Sequence, residues 1–393
     1  IQSIIKSLKS NKAPGEDFLP AELFKKFPNW WGPVLAGLFT HINNTCHIPD
    51  GWKMAIVVPT YKKGNKKDPS NYMPISLIDI VAKIYAKHLL NRIETWVEEN
   101  NILTEKQVGF RQGRSTIDNC FVLNHLIAKY AYKRRPLFAA FTAAFDLVNR
   151  DVLWSKLTSL KIEPRLLALI KALYTSTCLR VRYGVNGALT NRICTNKGLR
   201  QGCILAPLLF NLYINDLPGL IKATMVHMPM ILNTYCNSLL YVDDMILLSY
   251  TQIGLRRLLR RFSSYCQDNS LIISKSKSKI MVFGRNHQRH RWQLDGEPIE
   301  QVNSFVYLGV TFSKTGSWAY HHQRSSFRAK AHLNLLLKLK KHSYPGSLVP
   351  LIKVYKAKVT TMLLCGAEIW GLYSTSPRTN TVPTFEMYFG YRP

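Results

Sequence analysis

The sequence predicts a mixed α and β protein, large enough for two or three domains, on three observations. The chain has 393 residues, 47% of them hydrophobic and 11% aromatic, which is enough apolar material for a sizeable core. Helix-spaced and strand-like stretches alternate along it, with no internal repeat or low-complexity tract. The charge is lopsided, with 53 Lys and Arg against 23 Asp and Glu, a formal net charge of +30. A folded chain this basic repels itself unless a polyanion offsets the charge, so nucleic acid is the first partner expected. No run of about eighteen apolar residues and no signal-peptide pattern at Ile1–Lys12 occurs, so no membrane is expected and the chain reads as soluble.

The chain begins at Ile1, not Met, inside a helix-like stretch that runs into Asn11-Lys-Ala-Pro-Gly15. We expect a fragment of something longer. From Val81 to Val97 the apolar residues Val81, Ile84, Tyr85, Leu89, Ile93 and Trp96 recur at helical spacing, the mark of a long amphipathic helix. Leu179, Val181 and Tyr183 alternate with Arg180 and Arg182 before a Gly184–Gly187 turn, a hairpin with one basic face. Ser238–Ser249 reads as two apolar arms separated by Asp243-Asp244. A helix from about Gln252 to Cys266 follows, apolar at Leu255, Leu258, Leu259 and Phe262, with Arg256, Arg257, Arg260 and Arg261 off that face. Gly316 marks a joint, and beyond it Phe327–Lys341 and Leu348–Leu364 read as two basic helices joined by Tyr344-Pro-Gly. The tail after Ser374 has no strong pattern. Eight scattered cysteines, without a CxxC pair, predict thiols in a reducing, intracellular compartment and neither a disulfide frame nor a zinc site. Nucleus and cytoplasm are not distinguished.

Chemistry concentrates at Tyr241-Val-Asp-Asp244. Paired carboxylates on a rigid hairpin suit Mg²⁺, which takes hard oxygen ligands and is usually held by one or two carboxylates with substrate phosphates. Two such ions about 3.5–4 Å apart can clamp an in-line phosphoryl displacement. An Asp-Asp pair is also an ordinary turn sequence. Upstream stands Lys197-Gly-Leu-Arg-Gln-Gly-Cys-Ile-Leu-Ala-Pro207, a Gly-hinged loop entering a helix, which suits close backbone approach to an anionic ligand or simply caps a helix.

Together these strings closely resemble the reverse transcriptases of non-LTR (LINE-type) retrotransposons. The resemblance covers nearly the whole chain. Lys12–Asp17 with Pro20-Ala-Glu22 resembles the segment before the fingers, while Trp52–Gly64 and Asn71-Tyr-Met-Pro-Ile-Ser-Leu77 resemble the finger motifs, followed by Gln107–Thr116 with Arg111. Gly198–Leu212, with Arg200, Gln201 and Gly202, is similar to the motif that contacts template and shapes the nucleotide pocket. Leu271–Lys279, with Lys277, resembles the lysine motif, and Phe305–Gly309, with Tyr307, Leu308 and Gly309, the primer grip. Ser326–Trp370 is similar to the thumb.

The resemblance implies an α+β right-hand polymerase fold of fingers, palm with antiparallel sheet, and helical thumb. It implies an N-terminal extension at 1–40, fingers and palm at 41–312, a thumb-like region at 313–373 and a tail at 374–393. It further implies an enzyme that copies template RNA onto a DNA primer from dNTPs, with two Mg²⁺ ions (or Mn²⁺) held by Asp243 and Asp244. An endonuclease region of the parent polypeptide is expected outside this chain. Lys62 and Lys63, with Lys66 and Lys67, either meet phosphates or form a solvated loop. Positive charge at Lys62–Lys67, Arg256–Arg261, Lys275–Lys279 and Arg324–Lys358 is expected to line the template and primer cleft.

One position departs from the family in kind. The first palm strand of the family reads Phe-x-Asp-x-x-x-Ala-Phe-Asp, and here Phe138 and Ala144-Phe145-Asp146 align without a gap, with Phe145 as the gate against ribose 2′-hydroxyls. Ala140 stands where the metal-bridging Asp belongs. With spacing kept, the strand faces are expected unchanged, so the expected lesion is a methyl in place of a carboxylate and the copy is expected to be catalytically impaired. Met73, Ala143, Ala206 and Ser274 are milder departures. The alternative to an impaired polymerase is a catalytically dead polymerase fold that only binds nucleic acid.

Overall fold

The computed structural model describes residues 1–371 apart from 63, 146–147, 185, 201, 223–226, 285–288 and 343–348. Lys63, Asp146, Gln201, the Tyr344-Pro-Gly turn and the tail from Ser374 therefore lie outside the described residues.

In chain order the helices are α1 (Gln2–Ser7), α2 (Ala21–Lys26), α3 (Pro28–Thr45), α4 (Ile80–Glu99), α5 (Thr116–Tyr132), α6 (Arg150–Ser159), α7 (Pro164–Tyr174), α8 (Ala206–Tyr213), α9 (Leu217–Lys222), α10 (Gln252–Asp268), α11 (Ala319–His342) and α12 (Val349–Val354). The strands are β1 (Met54–Tyr61), β2 (Tyr72–Leu77), β3 (Leu137–Phe145), β4 (Thr177–Tyr183), β5 (Ala188–Leu189), β6 (Ile193–Thr195), β7 (Met230–Ile231), β8 (Thr234–Tyr235), β9 (Ser238–Tyr241), β10 (Asp244–Ser249), β11 (Ile272–Ile273), β12 (Lys279–Phe283), β13 (Trp292–Leu294), β14 (Glu297–Ile299), β15 (Ser304–Tyr307) and β16 (Val310–Ser313). They group into two compact units, each assembled from separated stretches of chain.

The first unit comprises Ile1–Phe110, Ala144–Leu220 and Ser264–Ile273. Its sheet is centred on β1, antiparallel to β2 and parallel to β4, and β4 in turn pairs β5 and β6. Met-Ala-Ile-Val at the start of β1 is buried throughout, the continuous apolar pattern of a strand covered on both faces. The expected amphipathic helix is α4, whose Ile84, Tyr85, Leu89 and Ile93 are fully buried. The expected hairpin forms as β4 and β5, with Tyr183 opposite Ala188. Its arginine face is less free than alternation suggests, because Arg180 reaches the Glu16 carboxylate at 3.1 Å and the Thr190 carbonyl at 3.1 Å.

The cysteine expectation needs correction. Cys178 and Cys194 are register partners on β4 and β6 and form a disulfide. Residues directly opposite on antiparallel strands bring their Cβ atoms within bonding reach. A separation of 16 residues in the chain gives no hint of that pairing.

The second unit comprises Arg111–Ala143, Ile221–Ser263 and the described residues from Ser274 onward. Here β3 is the central strand of an antiparallel sheet, flanked by β10 and β12, with β9 beyond β10. One face of the sheet, carrying Ala139, Phe141, Ile246, Leu248, Met281 and Phe283, packs on Cys120, Leu123, Leu126 and Ile127 of α5 and on Tyr307, Val310 and Phe312 of the β15–β16 hairpin. Helix α5 starts where Ser115 and Asp118 cap each other's backbone amides reciprocally, a capping box. The joint at Gly316 is present, with φ +73°, between β16 and α11. Helix α11 starts at Ala319, eight residues before the apolar spacing declares it, and its Ala329, Leu333 and Leu336 form a small core with Tyr355 and Val359. Among the described residues no helix is long and apolar enough to cross a membrane.

Candidate functional site

The Asp-Asp hairpin forms, one residue displaced from the expected tip. Tyr241 and Asp244 are register partners, so the two-residue turn is Val242-Asp243 and Asp244 is already the first residue of β10. Val242 has φ +55°, a left-handed conformation unusual for a β-branched residue. Two-residue hairpins with a positive φ at the first turn position favour Gly there. A strained residue between Tyr241 and the acids is what over-determined functional turns carry. Partial desolvation at the end of the sheet raises the Asp244 carboxyl above its ordinary range, although the residue is exposed at the surface, while the Lys277 ammonium of the lysine motif pulls it back down. The structure thus brings Asp243, Asp244 and Lys277 to one end of the sheet in this unit.

Ala140 is not the register partner of Asp244. Asp244 is the register partner of Ala143, whereas Ala140 lies opposite Leu247 on β10 and Ile280 on β12. Three residues along a strand is about 10 Å, and an odd step reverses the face. Ile246 and Leu248, on the Asp244 side, belong to the core cluster with α5 and Tyr307, as do Ala139 and Phe141; Ala140 faces the other way and is fully buried. A gap-free alignment keeps spacing along one strand but cannot by itself fix which residues of two strands lie side by side.

The expected primer grip is a tight hairpin of the same unit. Leu308 and Gly309 both have positive φ, at +47° and +90°, the pattern of a type I′ turn. Tyr307 turns inward: it is buried, which pushes its phenol well above the usual range, and Asn119 donates to its hydroxyl at 3.1 Å. Asn119 also donates to the carbonyl of Leu240, on the arm leading to the Asp-Asp turn, at 3.0 Å. This buried amide ties the β15–β16 hairpin to the Asp-Asp hairpin, and only its place in space reveals it. Arg111 is half-buried at the start of the same unit and Lys277 is exposed.

In the first unit, Gly202 has φ +106°, and a Cβ there would stand 2.8 Å from the Ser76 carbonyl oxygen, so glycine is required by contact with β2. Arg200, expected to meet template or nucleotide, has its guanidinium engaged with the carbonyls of Trp52, Lys53 and Leu173 at 2.8–3.1 Å. Arg150 performs the same service for the approach to this loop, donating to the carbonyls of Tyr174, Thr195, Lys197 and Gly198. Both guanidinium groups lie over the ring of fully buried Tyr174, at 5.3 and 5.9 Å from its centroid. Buried carbonyls need donors, and arginine supplies five in a planar fork. Nothing in the sequence separates these two arginines from surface cations. They line a cavity of about 330 Å³ with Ser76, Thr177 and Lys197. Lys62 is exposed beside β1, and β3 reaches Phe145, paired there with Ile272.

Two groups of the expected positive charge can be located. Arg256, Arg257, Arg260 and Arg261 do not share the Asp244 face of the sheet, and Lys275 and Lys279 are paired with Glu297 and Glu300 at 3.8 and 2.8 Å. Among the described residues, no three His, Cys, Asp or Glu side chains are grouped so as to hold a metal ion. Asp243 and Asp244 could share one Mg²⁺ with substrate phosphates, but the described donors do not fit a two-ion centre.

An antiparallel sheet bearing a Tyr-x-Asp-Asp hairpin, with a glycine-hinged loop and a helical hairpin elsewhere in the chain, is the architecture of a right-hand polymerase. Residues 62–312 match the family described as reverse transcriptase (RNA-dependent DNA polymerase), and the chain belongs to that family. It is 27% identical over 387 residues to the "Probable RNA-directed DNA polymerase from transposon BS" of Drosophila melanogaster, covering 96% of this chain and 42% of that protein. It is 24% identical over 385 residues to the "RNA-directed DNA polymerase from mobile element jockey" of the same organism, covering 96% and 41%. A "Retrovirus-related Pol polyprotein from type-1 retrotransposable element R2" of Popillia japonica matches at 24% over 235 residues, covering 59% and 32%. The relatives are polymerases of non-LTR retrotransposons, and the chain spans about two-fifths of the length of the first two. The apo telomerase of Candida tropicalis, truncated from its C-terminal domain, aligns at 11% identity and TM-score 0.47 over 68% of this chain and 54% of that one, too weak a likeness to argue from.

Proposed function

We propose that this chain is the polymerase region of a LINE-type reverse transcriptase that still engages template RNA, DNA primer and dNTPs but is impaired in nucleotidyl transfer. The observation that carries this reading is the donor set at the hairpin. Asp243 and Asp244 stand without a third carboxylate grouped with them among the described residues. Family membership supports the RNA-directed DNA polymerase assignment, and the net charge of +30 supports binding of a polyanion. Phosphoryl transfer asks a protein mainly for positioning and for stabilisation of developing charge. Losing a thousandfold in rate requires only about 4 kcal/mol less transition-state stabilisation, so one absent metal ligand is enough to account for impairment.

The test is primer extension on an RNA template over a range of Mg²⁺ and Mn²⁺ concentrations, run beside binding of the same primer–template by fluorescence anisotropy. Binding should be retained, and extension should not exceed that of the Asp243→Asn variant. Mg²⁺-dependent extension that Asp243→Asn abolishes would show a working polymerase and overturn the impairment.

A further inference from the structure

Four arginines of α10 form a compact block. Arg256, Arg257, Arg260 and Arg261 are all exposed, while Leu255, Leu258, Leu259 and Phe262 between them are buried. Positions four apart on a helix lie about 6 Å from each other along the axis, so the four make two adjacent rows on one face. Among the described residues none of them is in an ion pair. Asp295 is held by the Ser263 hydroxyl at the end of the block, and the backbone of Arg291, itself exposed, accepts from Arg256 at 3.1 Å. The Arg256 guanidinium lies 5.9 Å from the centre of the buried Trp292 ring, which fixes one corner of the block.

Two contacts place this block on the sheet. The Trp292 ring meets Phe138 of β3 with centroids 5.9 Å apart, and a Cβ on Gly254 of α10 would collide with the Ser249 hydroxyl of β10. Phe138 and Ser249 are register partners, and Phe138 shares the face of Ala140 by strand alternation. Helix α10 therefore covers the face opposite the one that carries Asp244, and its arginines point to solvent beyond it. The block cannot contact phosphates held at the Asp-Asp hairpin.

We infer that the outer face of α10 is a second nucleic-acid-binding surface, which takes the phosphodiester backbone of a strand other than the one at the hairpin. Arginine suits this ligand, since its planar fork matches phosphate oxygens and it is only weakly hydrated. An acidic protein would meet the same charge. The repeated and sequence-independent charge of a nucleic-acid backbone fits better two adjacent rows of exposed guanidinium groups. The inference does not depend on polymerase activity.

The experiment measures anisotropy of a labelled 20-nucleotide single-stranded RNA and a labelled 20-base-pair DNA duplex from 50 to 200 mM salt. The parent chain is compared with a variant carrying Arg256→Gln, Arg257→Gln, Arg260→Gln and Arg261→Gln. Each lost phosphate contact flattens the log–log salt slope by about 0.7 for single strands and about 0.9 for duplex. Four contacts change the response between those salt concentrations by about 50-fold for RNA or about 150-fold for duplex, and the probe whose change reaches its own expected value identifies the ligand. The Arg257→Gln/Arg261→Gln double variant keeps the Trp292 stack and should show half of that change in slope; it decides the matter if the quadruple variant melts early by circular dichroism. An unchanged slope for both probes overturns the inference. So does polyglutamate of equal charge displacing either probe as well as unlabelled nucleic acid does, which would make the ligand an acidic protein.

Discussion

Placing a carboxylate at position 140 is the obvious test of the proposed impairment, and the structure predicts that it does not restore extension. Ala140 is fully buried, as are its register partners Leu247 and Ile280. An Asp there enters an apolar sheet interior about 10 Å from the level of Asp244 and on the opposite face. Burial raises a carboxyl pKa by up to 3–5 units, and each unit is about 1.4 kcal/mol. Taking about 3 units, ionisation at pH 7 costs about 4 kcal/mol, to which a buried polar group without a partner adds about 1–3 kcal/mol. The sum approaches the whole stability of many domains. The sign follows from the raised pKa: the native state holds its proton more tightly, so the penalty is small near pH 4 and grows as pH rises through the folded pKa. The assay is urea unfolding of Ala140→Asp and Ala140→Asn at pH 4 and pH 7, beside primer extension. The Asp variant should lose several kcal/mol more at pH 7 than at pH 4, the Asn variant should show little pH difference, and neither should extend a primer. An Ala140→Asp protein that is as stable as its parent at pH 7 and copies RNA would mean that position 140 does lie beside Asp243 and Asp244, refuting the register argument.

Removing the amide that ties the two hairpins, Asn119→Ala, should destabilise by about 1–3 kcal/mol because the Tyr307 hydroxyl and the Leu240 carbonyl lose a buried partner. Denaturant midpoints read this, and a change below about 0.5 kcal/mol would mean that the tie is incidental. Asp244 has a raised carboxyl pKa, so its contribution favours the native state as pH falls from neutrality through that pKa toward the usual aspartate value, and is lost as pH rises. Relative to the parent, Asp244→Asn should therefore gain stability as pH rises from 3 to 7, which thermal melts of both across that range would check; a variant that loses ground to the parent as pH rises would contradict the assigned direction.

Much of the fold was legible from local pattern. The apolar arms of the Tyr241-Val-Asp-Asp hairpin, the α4 stripe and the β4–β5 hairpin all appear where period and turn residues put them, because a strand or helix face is set by neighbours two to four residues away. The start of α11 was missed because residues 319–326 are mostly polar, and an exposed first turn carries no apolar period. The order of motifs declared the family, since each string reports on its own segment.

What distance along the chain hides, only the tertiary structure decided. Pairing of Cys178 with Cys194 and the clamp of Asn119 on Leu240 and Tyr307 depend on which strands and helices end up side by side. So does the engagement of Arg150 and Arg200 with buried carbonyls, which turns an expected nucleotide-contacting arginine, Arg200, into a strut. The register of β3 against β10 decided most, because a shift of three residues leaves every local pattern intact and yet sends position 140 to the other face from Asp244. By itself the sequence determined the elements, the family and the excess of positive charge. The fold determined where that charge is exposed, since the arginines of α10 could be assigned a side only once the sheet beneath them had two.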